Sequence, residues 1–228
     1  MLDIEHNLKT VRERINMAES KYHRPPNSVK LIAVSKTKPV EAVLSAIELG
    51  QTVFGENYVQ EAIAKIEQIN QSALEWHFLG PIQSNKTRLI ANSFNWVHSV
   101  DRLKIAQRLN EHRDKNLPKL NICLQVNISQ EESKAGVLEK ELNELLEAVL
   151  ELSQLNVRGF MAIPRKTVEF EEQRQVFRNL RQLKERAENE LGVEFDTLSM
   201  GMSADLEAAI AEGATHVRVG TDIFGARN

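Results

Sequence analysis

Short apolar runs rich in β-branched residues alternate along this chain with longer segments whose apolar positions recur every three to four residues. That alternation marks parallel α/β architecture, because strands covered on both faces are apolar throughout while the covering helices carry one apolar stripe. Eight runs read as strands: 29–36, 52–55, 75–79, 95–100, 121–127, 157–163, 197–200 and 216–220. Helical periodicity fills much of the space between them, over 40–49, 59–70, 101–113, 138–152, 170–189 and 204–212. Eight consecutive units without a long interruption predict an α/β fold, a single (β/α)8 TIM-type barrel, in preference to a doubly wound open sheet.

Ahead of the first strand, Leu8, Val11, Ile15 and Ala18 form a further helical stripe, stopped by Arg24-Pro25-Pro26-Asn27. The segment after the eighth strand, 221–228, is short for a covering helix. The N-terminal helix, within 1–24, is therefore expected to pack on the flank that an eighth C-terminal helix would otherwise cover. With no Gly/Ser linker, low-complexity tract or repeat in view, residues 1–228 read as one domain.

Composition narrows the class. Apolar residues make up 42% and charged residues 27% of the chain, as in an ordinary globular protein, and no apolar run reaches membrane-spanning length. The N-terminal segment shows no secretory pattern, so the reading is cytoplasmic. A formal charge of −3 offers nucleic acid no general attraction. The single cysteine, Cys123, stands in an apolar run and reads as a small buried hydrophobe rather than a nucleophile.

Candidate chemistry gathers at strand ends. Leu31-Ile32-Ala33-Val34-Ser35-Lys36 is an apolar run closing on Lys36, at the barrel mouth where such folds place function. A partly desolvated amine there has a larger neutral fraction to attack an aldehyde, although a solvated strand-end lysine is the plainer reading. Leu198-Ser199-Met200-Gly201-Met202-Ser203 runs into a helical segment, and Val219-Gly220-Thr221-Asp222 follows the eighth strand. Two small-residue turns after strands seven and eight fit a phosphate pocket, with Gly201 admitting an anion to the backbone and Ser203 supplying a hydroxyl; a simple serine N-cap is the alternative. Arg218 shares a period-two face with His216 and Gly220 and is expected to point inward, the alternative being an outward arginine paired with a helix carboxylate. Asn57 and His77, near the ends of strands two and three, can line the same mouth or serve as structural hydrogen-bonding groups.

Two imitations fail. Gly80-Pro81-Ile82-Gln83-Ser84-Asn85-Lys86-Thr87 resembles a P-loop, but Asn85 replaces the second glycine and Pro81 removes a backbone donor. The six histidines lack metal-site spacing, and one cysteine builds no thiolate site, so no metal is expected.

Taken in order, several stretches resemble the pyridoxal phosphate homeostasis proteins, a family related to the barrel domain of alanine racemase. They are Leu31-Ile32-Ala33-Val34-Ser35-Lys36, Phe54-Gly55-Glu56-Asn57-Tyr58, Trp76-His77-Phe78-Leu79-Gly80-Pro81-Ile82-Gln83-Ser84-Asn85-Lys86, Gly159-Phe160-Met161-Ala162, Leu198-Ser199-Met200-Gly201-Met202-Ser203 and Val217-Arg218-Val219-Gly220-Thr221, within about residues 29–227. The resemblance implies pyridoxal 5′-phosphate as cofactor, held by a Schiff base to Lys36. It implies that Ser203, Gly220 and Thr221 hold the phosphate and that Arg218 faces the pyridine nitrogen, with Asn57, His77 and Met200 nearby. A cation beside that nitrogen opposes its protonation and weakens the ring as an electron sink. The racemase relatives also use a tyrosine from a second domain, for which no counterpart is expected here. Vitamin B6 carriage with little or no turnover is therefore the expected role, with apo-enzymes as recipients and a monomeric state. A racemase or lyase of the same fold remains the alternative, and a purely structural or nucleotide-binding protein is a third reading. Lys134, after strand five, can relay the aldehyde or be a plain loop lysine.

Overall fold

A computed structural model of the chain describes residues 3–129, 131 and 135–226. Lys134 lies outside the described residues. Eight parallel strands form a closed barrel in chain order, with the eighth paired to the first. They are β1 (Lys30–Val34), β2 (Val53–Glu56), β3 (Glu75–Phe78), β4 (Trp96–Val100), β5 (Leu120–Gln125), β6 (Leu155–Met161), β7 (Thr197–Ser199) and β8 (His216–Val219). The helices are α1 (Ile4–Lys21), α2 (Val40–Glu48), α3 (Val59–Ile69), α4 (Thr87–Ser93), α5 (Leu103–His112), α6 (Glu139–Leu150), α7 (Phe170–Leu191), α8 (Leu206–Ala211) and α9 (Thr221–Phe224).

Asp3 caps α1 by accepting from the His6 backbone N–H at 2.9 Å. The predicted stripe of Leu8, Val11, Ile15 and Ala18 is buried. The helix packs on α2, α8 and α9, and so fills the flank that the four-residue α9 is too short to cover. It extends to Lys21, one turn beyond the apolar stripe. The chain leaves it through left-handed residues at His23 and Asn27, before and after the two prolines.

Apolar packing falls into two zones. The larger lies between barrel and helices, with Phe54, Phe78, Phe94, Ile105, Leu109 and Phe177 wholly buried. Each such side chain contributes about 1.5–3 kcal/mol by leaving water. Inside the barrel are two small clusters, Ile32–Val34–Leu79 and Trp96–Cys123–Met161. Cys123 is buried, and burial pushes its thiol far up in pKa, as suits an inert hydrophobe. The rest of the interior is polar: His77, His98, Ser199, His216 and Arg218 are all buried. Gly159 lets β6 and β7 pair, since a Cβ there would lie 2.0 Å from the Thr197 carbonyl oxygen.

Among the described residues no helix is long and apolar enough to cross a membrane.

Candidate functional site

The C-terminal mouth holds a cavity of about 410 Å³, within the range of small-molecule sites. Lys36, Asn57, Ser203, Arg218, Gly220 and Thr221 all line it. Val34, Leu79, Met161 and Ile163 supply apolar wall, and Lys38 and Lys166 add two further amines. Among the described residues, four cationic side chains and no carboxylate line the cavity, so its chemistry favours an anion.

Lys36 stands just past the strand. β1 ends at Val34, and Lys36 and Thr37 form a turn in which Thr37 is left-handed at φ 62°. That turn is clamped on both sides of the lysine. Lys65 Nζ donates to the Ser35 carbonyl at 2.8 Å, and the Thr37 N–H donates to Glu61 Oε1 at 2.6 Å. Beneath them Ser35 Oγ and Lys65 Nζ both donate to Glu56 Oε1, at 2.7 and 2.8 Å. The Lys36 side chain is half-buried.

Arg218 points inward, as strand alternation predicts, and the alternative of a carboxylate on a covering helix is not what holds it. Its Nη1 donates to Ser199 Oγ at 2.8 Å and its Nη2 to the Ala162 carbonyl at 2.9 Å. Among the described residues no carboxylate lies within ion-pair distance. Burial lowers its pKa to about 10, which still leaves the guanidinium charged at neutral pH.

The two turns meet at one side of the cavity. Asp205 stands at the N-cap position of α8, and its carboxylate turns back to the preceding loop, accepting from the Met202 N–H at 2.6 Å. Ser203 precedes that cap by two residues, so it is not the simple N-cap of the alternative reading. Gly201 is glycine for a reason other than anion approach: its φ is +94°, and a Cβ would lie 2.6 Å from Ala209 Cβ. At Gly220 a Cβ would come within 3.0 Å of the Val34 carbonyl oxygen. Arg14 of α1 ties the turns together, with Nη2 donating to the Ser203 carbonyl at 2.8 Å and Nη1 paired to Asp222 Oδ2 at 2.6 Å.

His77 and Met200 do not line the cavity. His77 lies deeper in the barrel, bonded to His98 and Glu75. Met200 follows the inward Ser199, so its side chain falls on the opposite face and packs among the mantle residues. Met161, Met202, Lys38 and Lys166 are among the lining residues that strand-end reasoning missed. For Met161 the signal was present, since it ends a strand whose final residue faces inward. For Lys166, in the loop after β6, no local signal exists.

An eight-stranded barrel with an amine and a cationic cavity at its C-terminal mouth defines a class of anion-binding, lysine-bearing barrels. Comparison with known proteins places it more closely. The family model for the alanine racemase N-terminal domain matches residues 3–228. The pyridoxal phosphate homeostasis protein of Pseudomonas aeruginosa is 54% identical over 228 residues, covering 100% of this chain and 97% of that one. Its counterpart in Escherichia coli is 51% identical over 235 residues, with 100% and 98% covered. The structure of PipY from Synechococcus elongatus with PLP bound superposes with a TM-score of 0.86 at 37% identity, covering 98% of this chain and 100% of that one. The chain belongs to the pyridoxal phosphate homeostasis proteins of the alanine racemase N-terminal domain family.

The site residues fit pyridoxal phosphate. Among the described residues, Asn57 Oδ1 is buried without a hydrogen-bond partner at the cavity wall and no carboxylate lines the cavity, and the Gly220 turn lies against β1 where a side chain would crowd it.

Proposed function

We propose that this chain binds pyridoxal 5′-phosphate covalently through Lys36 and serves intracellular vitamin B6 homeostasis and carriage, with little or no turnover. The carrying observation is that Lys36 shares one cationic cavity with Ser203, Gly220, Thr221 and Arg218. When bound, pyridoxal phosphate supplies an aldehyde that condenses with a primary amine, losing one water. Lys36 supplies that amine, and the clamp on Ser35 and Thr37 fixes its turn. Ser203, Gly220 and Thr221 hold the phosphate, while Lys38 and Lys166 add favourable charge. Asn57 lines the wall beside the ring.

Arg218 gives the reading its direction. A guanidinium that stays charged at neutral pH and faces the pyridine nitrogen keeps that nitrogen unprotonated, which weakens electron withdrawal from a bound amino acid. His77 and Met200 act indirectly, one inside the barrel and one in the mantle. The same reading takes residues 1–228 as one domain, a cytoplasmic monomer that hands its cofactor to apo-enzymes, and it draws support from the names and cofactor of the relatives.

The test is a visible spectrum of purified protein with borohydride trapping, comparing the natural chain with Lys36→Ala. A yellow, covalently captured natural chain and a colourless, uncaptured variant are expected. Unchanged capture in the variant overturns the Lys36 assignment, and sustained racemase or lyase turnover by pure protein overturns the carrier role.

A further inference from the structure

A run of hydrogen bonds crosses the barrel interior from the site to the opposite mouth. Arg218 Nη1 donates to Ser199 Oγ at 2.8 Å, and Ser199 Oγ meets His98 Nδ1 at 2.8 Å. His98 Nε2 meets His77 Nδ1 at 2.7 Å, and His77 Nε2 meets Glu75 Oε1 at 2.8 Å. Lys30 Nζ donates to the same Glu75 oxygen at 3.0 Å. Lys30 and Glu75 are the first residues of β1 and β3, so they sit at the N-terminal mouth, with side chains 40% and 33% exposed. Everything between Glu75 and Arg218 is buried.

Counting protons gives this run a direction. Arginine can only donate, and an ionised carboxylate can only accept. The hydrogen bond from His77 holds Glu75 ionised, at a pKa of about 2, so His77 Nε2 carries a hydrogen. Burial lowers the pKa of both His77 and His98, leaving each ring one proton. His77 Nδ1 is then bare, and His98 Nε2 must donate to it. His98 Nδ1 is bare in turn, and the Ser199 hydroxyl must donate to that nitrogen. Ser199 is left with lone pairs directed at Arg218. Each proton position follows from its neighbour, all bonds point from Arg218 towards Glu75, and in such a chain each bond polarises the next. Three strands, the adjacent β3 and β4 and the distant β7, each contribute one member to the middle of the run.

We infer that Glu75, at the far mouth of the barrel, is a remote positioning residue for Arg218, fixing the protons of His77, His98 and Ser199 and so the orientation in which Ser199 accepts from the guanidinium. Its bearing on the cofactor rests on the proposed function, in which Arg218 faces the pyridine nitrogen. Without an acceptor at position 75, His77 is free to change tautomer, His98 follows, and the Ser199 hydroxyl loses its fixed direction. Arg218 then keeps only the Ala162 carbonyl as a firm acceptor. A run that merely satisfied buried polar groups would not transmit a change at position 75 as far as His98.

The test uses the full chain labelled with nitrogen-15 in histidine and read by NMR before cofactor is added. In the natural chain His77 and His98 are expected to carry hydrogen on Nε2 alone. Glu75→Leu should move the His98 nitrogens towards a mixture of tautomers, and Glu75→Gln, whose carboxamide oxygen still accepts, should restore them. Ser199→Ala, which cuts the run at its other end, should leave hydrogen on Nε2 of both His77 and His98, because His77 still fixes His98 from the Glu75 side, and it serves if Glu75→Leu does not fold. Unmoved His98 nitrogens in Glu75→Leu, or His98 nitrogens that move to a mixture of tautomers in Ser199→Ala, overturn the inference. With pyridoxal phosphate added, Glu75→Leu should shift the visible band and weaken affinity about threefold, the worth of one modest hydrogen bond. Moved nitrogens with an unmoved band and affinity overturn the link to the cofactor. A natural chain that captures no pyridoxal phosphate strikes the proposed function instead, and the nitrogen signals still decide whether Glu75 positions Arg218.

Discussion

Gly80 passes over Asn57 so closely that a Cβ on it would lie 2.2 Å from the Asn57 carbonyl oxygen. The contact joins the loops after β3 and β2 at the mouth, and Ser99 Oγ fastens it by donating to the Gly80 carbonyl at 2.5 Å. Asn57 in turn forms cavity wall. Gly80→Ala must push that loop aside, and overpacking of this kind costs about 1–3 kcal/mol. The melting temperature should fall by about 2–12 °C in a chain of this size. Capture of pyridoxal phosphate at Lys36 should also weaken, although Gly80 does not line the cavity; a scanning-calorimetry trace beside a titration followed in the visible region checks both.

The buried pair behind Lys36 makes a second prediction. Glu56 and Lys65 have side chains 0% and 4% exposed, and burial pushes the Glu56 carboxyl above the ordinary carboxylate range while Lys65 pulls it back. Lys65→Met strands that carboxylate, at a cost of about 3–5 kcal/mol. A raised carboxyl pKa means that stability is present at low pH and lost as pH rises through the folded-state value. Urea unfolding of Lys65→Met should therefore show a smaller loss at pH 5 than at pH 8, and adding Glu56→Gln should recover part of it.

Much of the barrel was legible because its strands are covered on both sides. Runs such as residues 31–34 are apolar throughout, and the helices between them carry clear stripes. Strand ends were less legible. Lys36 and Gly220 continue the apolar pattern yet leave the ladder for turns, because the turn, not the hydrophobicity, decides where pairing stops. Helix α4 escaped because it is seven residues long and enters through a 3-10 turn at Ser84–Lys86, inside the segment that imitates a P-loop. Arg218 was placed inward by period two, and the same rule applied to Met200 would have put it outside and Ser199 inside. His98 carried no cue that it would meet both His77 and Ser199, since that contact exists only once the sheet has closed.

The buried imidazoles set an acid limit. Burial lowers the pKa of His216 to about 3 and that of His98 well below its ordinary value. The unfolded chain takes up protons near pH 6.5 that the folded chain refuses, so this stability is full above that pH and drains away below it. Each histidine contributes a slope of about 1.4 kcal/mol per pH unit. Between pH 7 and 5 the two together should lower the melting temperature by about 8–16 °C. Glu75, held ionised down to about pH 2, adds a loss that begins near its ordinary carboxylate value and continues to that pH. His216→Gln should remove its share of the pH 7-to-5 slope, with His98 and the likewise depressed His77 supplying the rest; melting curves at half-unit steps would show an unchanged slope if the assignment is wrong.

Arg14 links the N-terminal helix to the function. One guanidinium reaches both turns assigned to the phosphate, through the Ser203 carbonyl and the Asp222 carboxylate, while its own side chain remains 40% exposed. A group so exposed adds little to global stability, because solvent screens the pair. Its effect should fall instead on the spacing between Ser203 and Thr221, which no other described side chain bridges. Arg14→Leu is therefore expected to leave the melting temperature nearly unchanged while weakening pyridoxal phosphate binding about three- to tenfold, the range for one or two net hydrogen bonds. The loss should be greater for pyridoxal phosphate than for unphosphorylated pyridoxal, which still condenses with Lys36 but makes no use of the turns. Equal losses for the two aldehydes would place the effect of Arg14 on the lysine side of the cavity and remove the phosphate from this pair of turns.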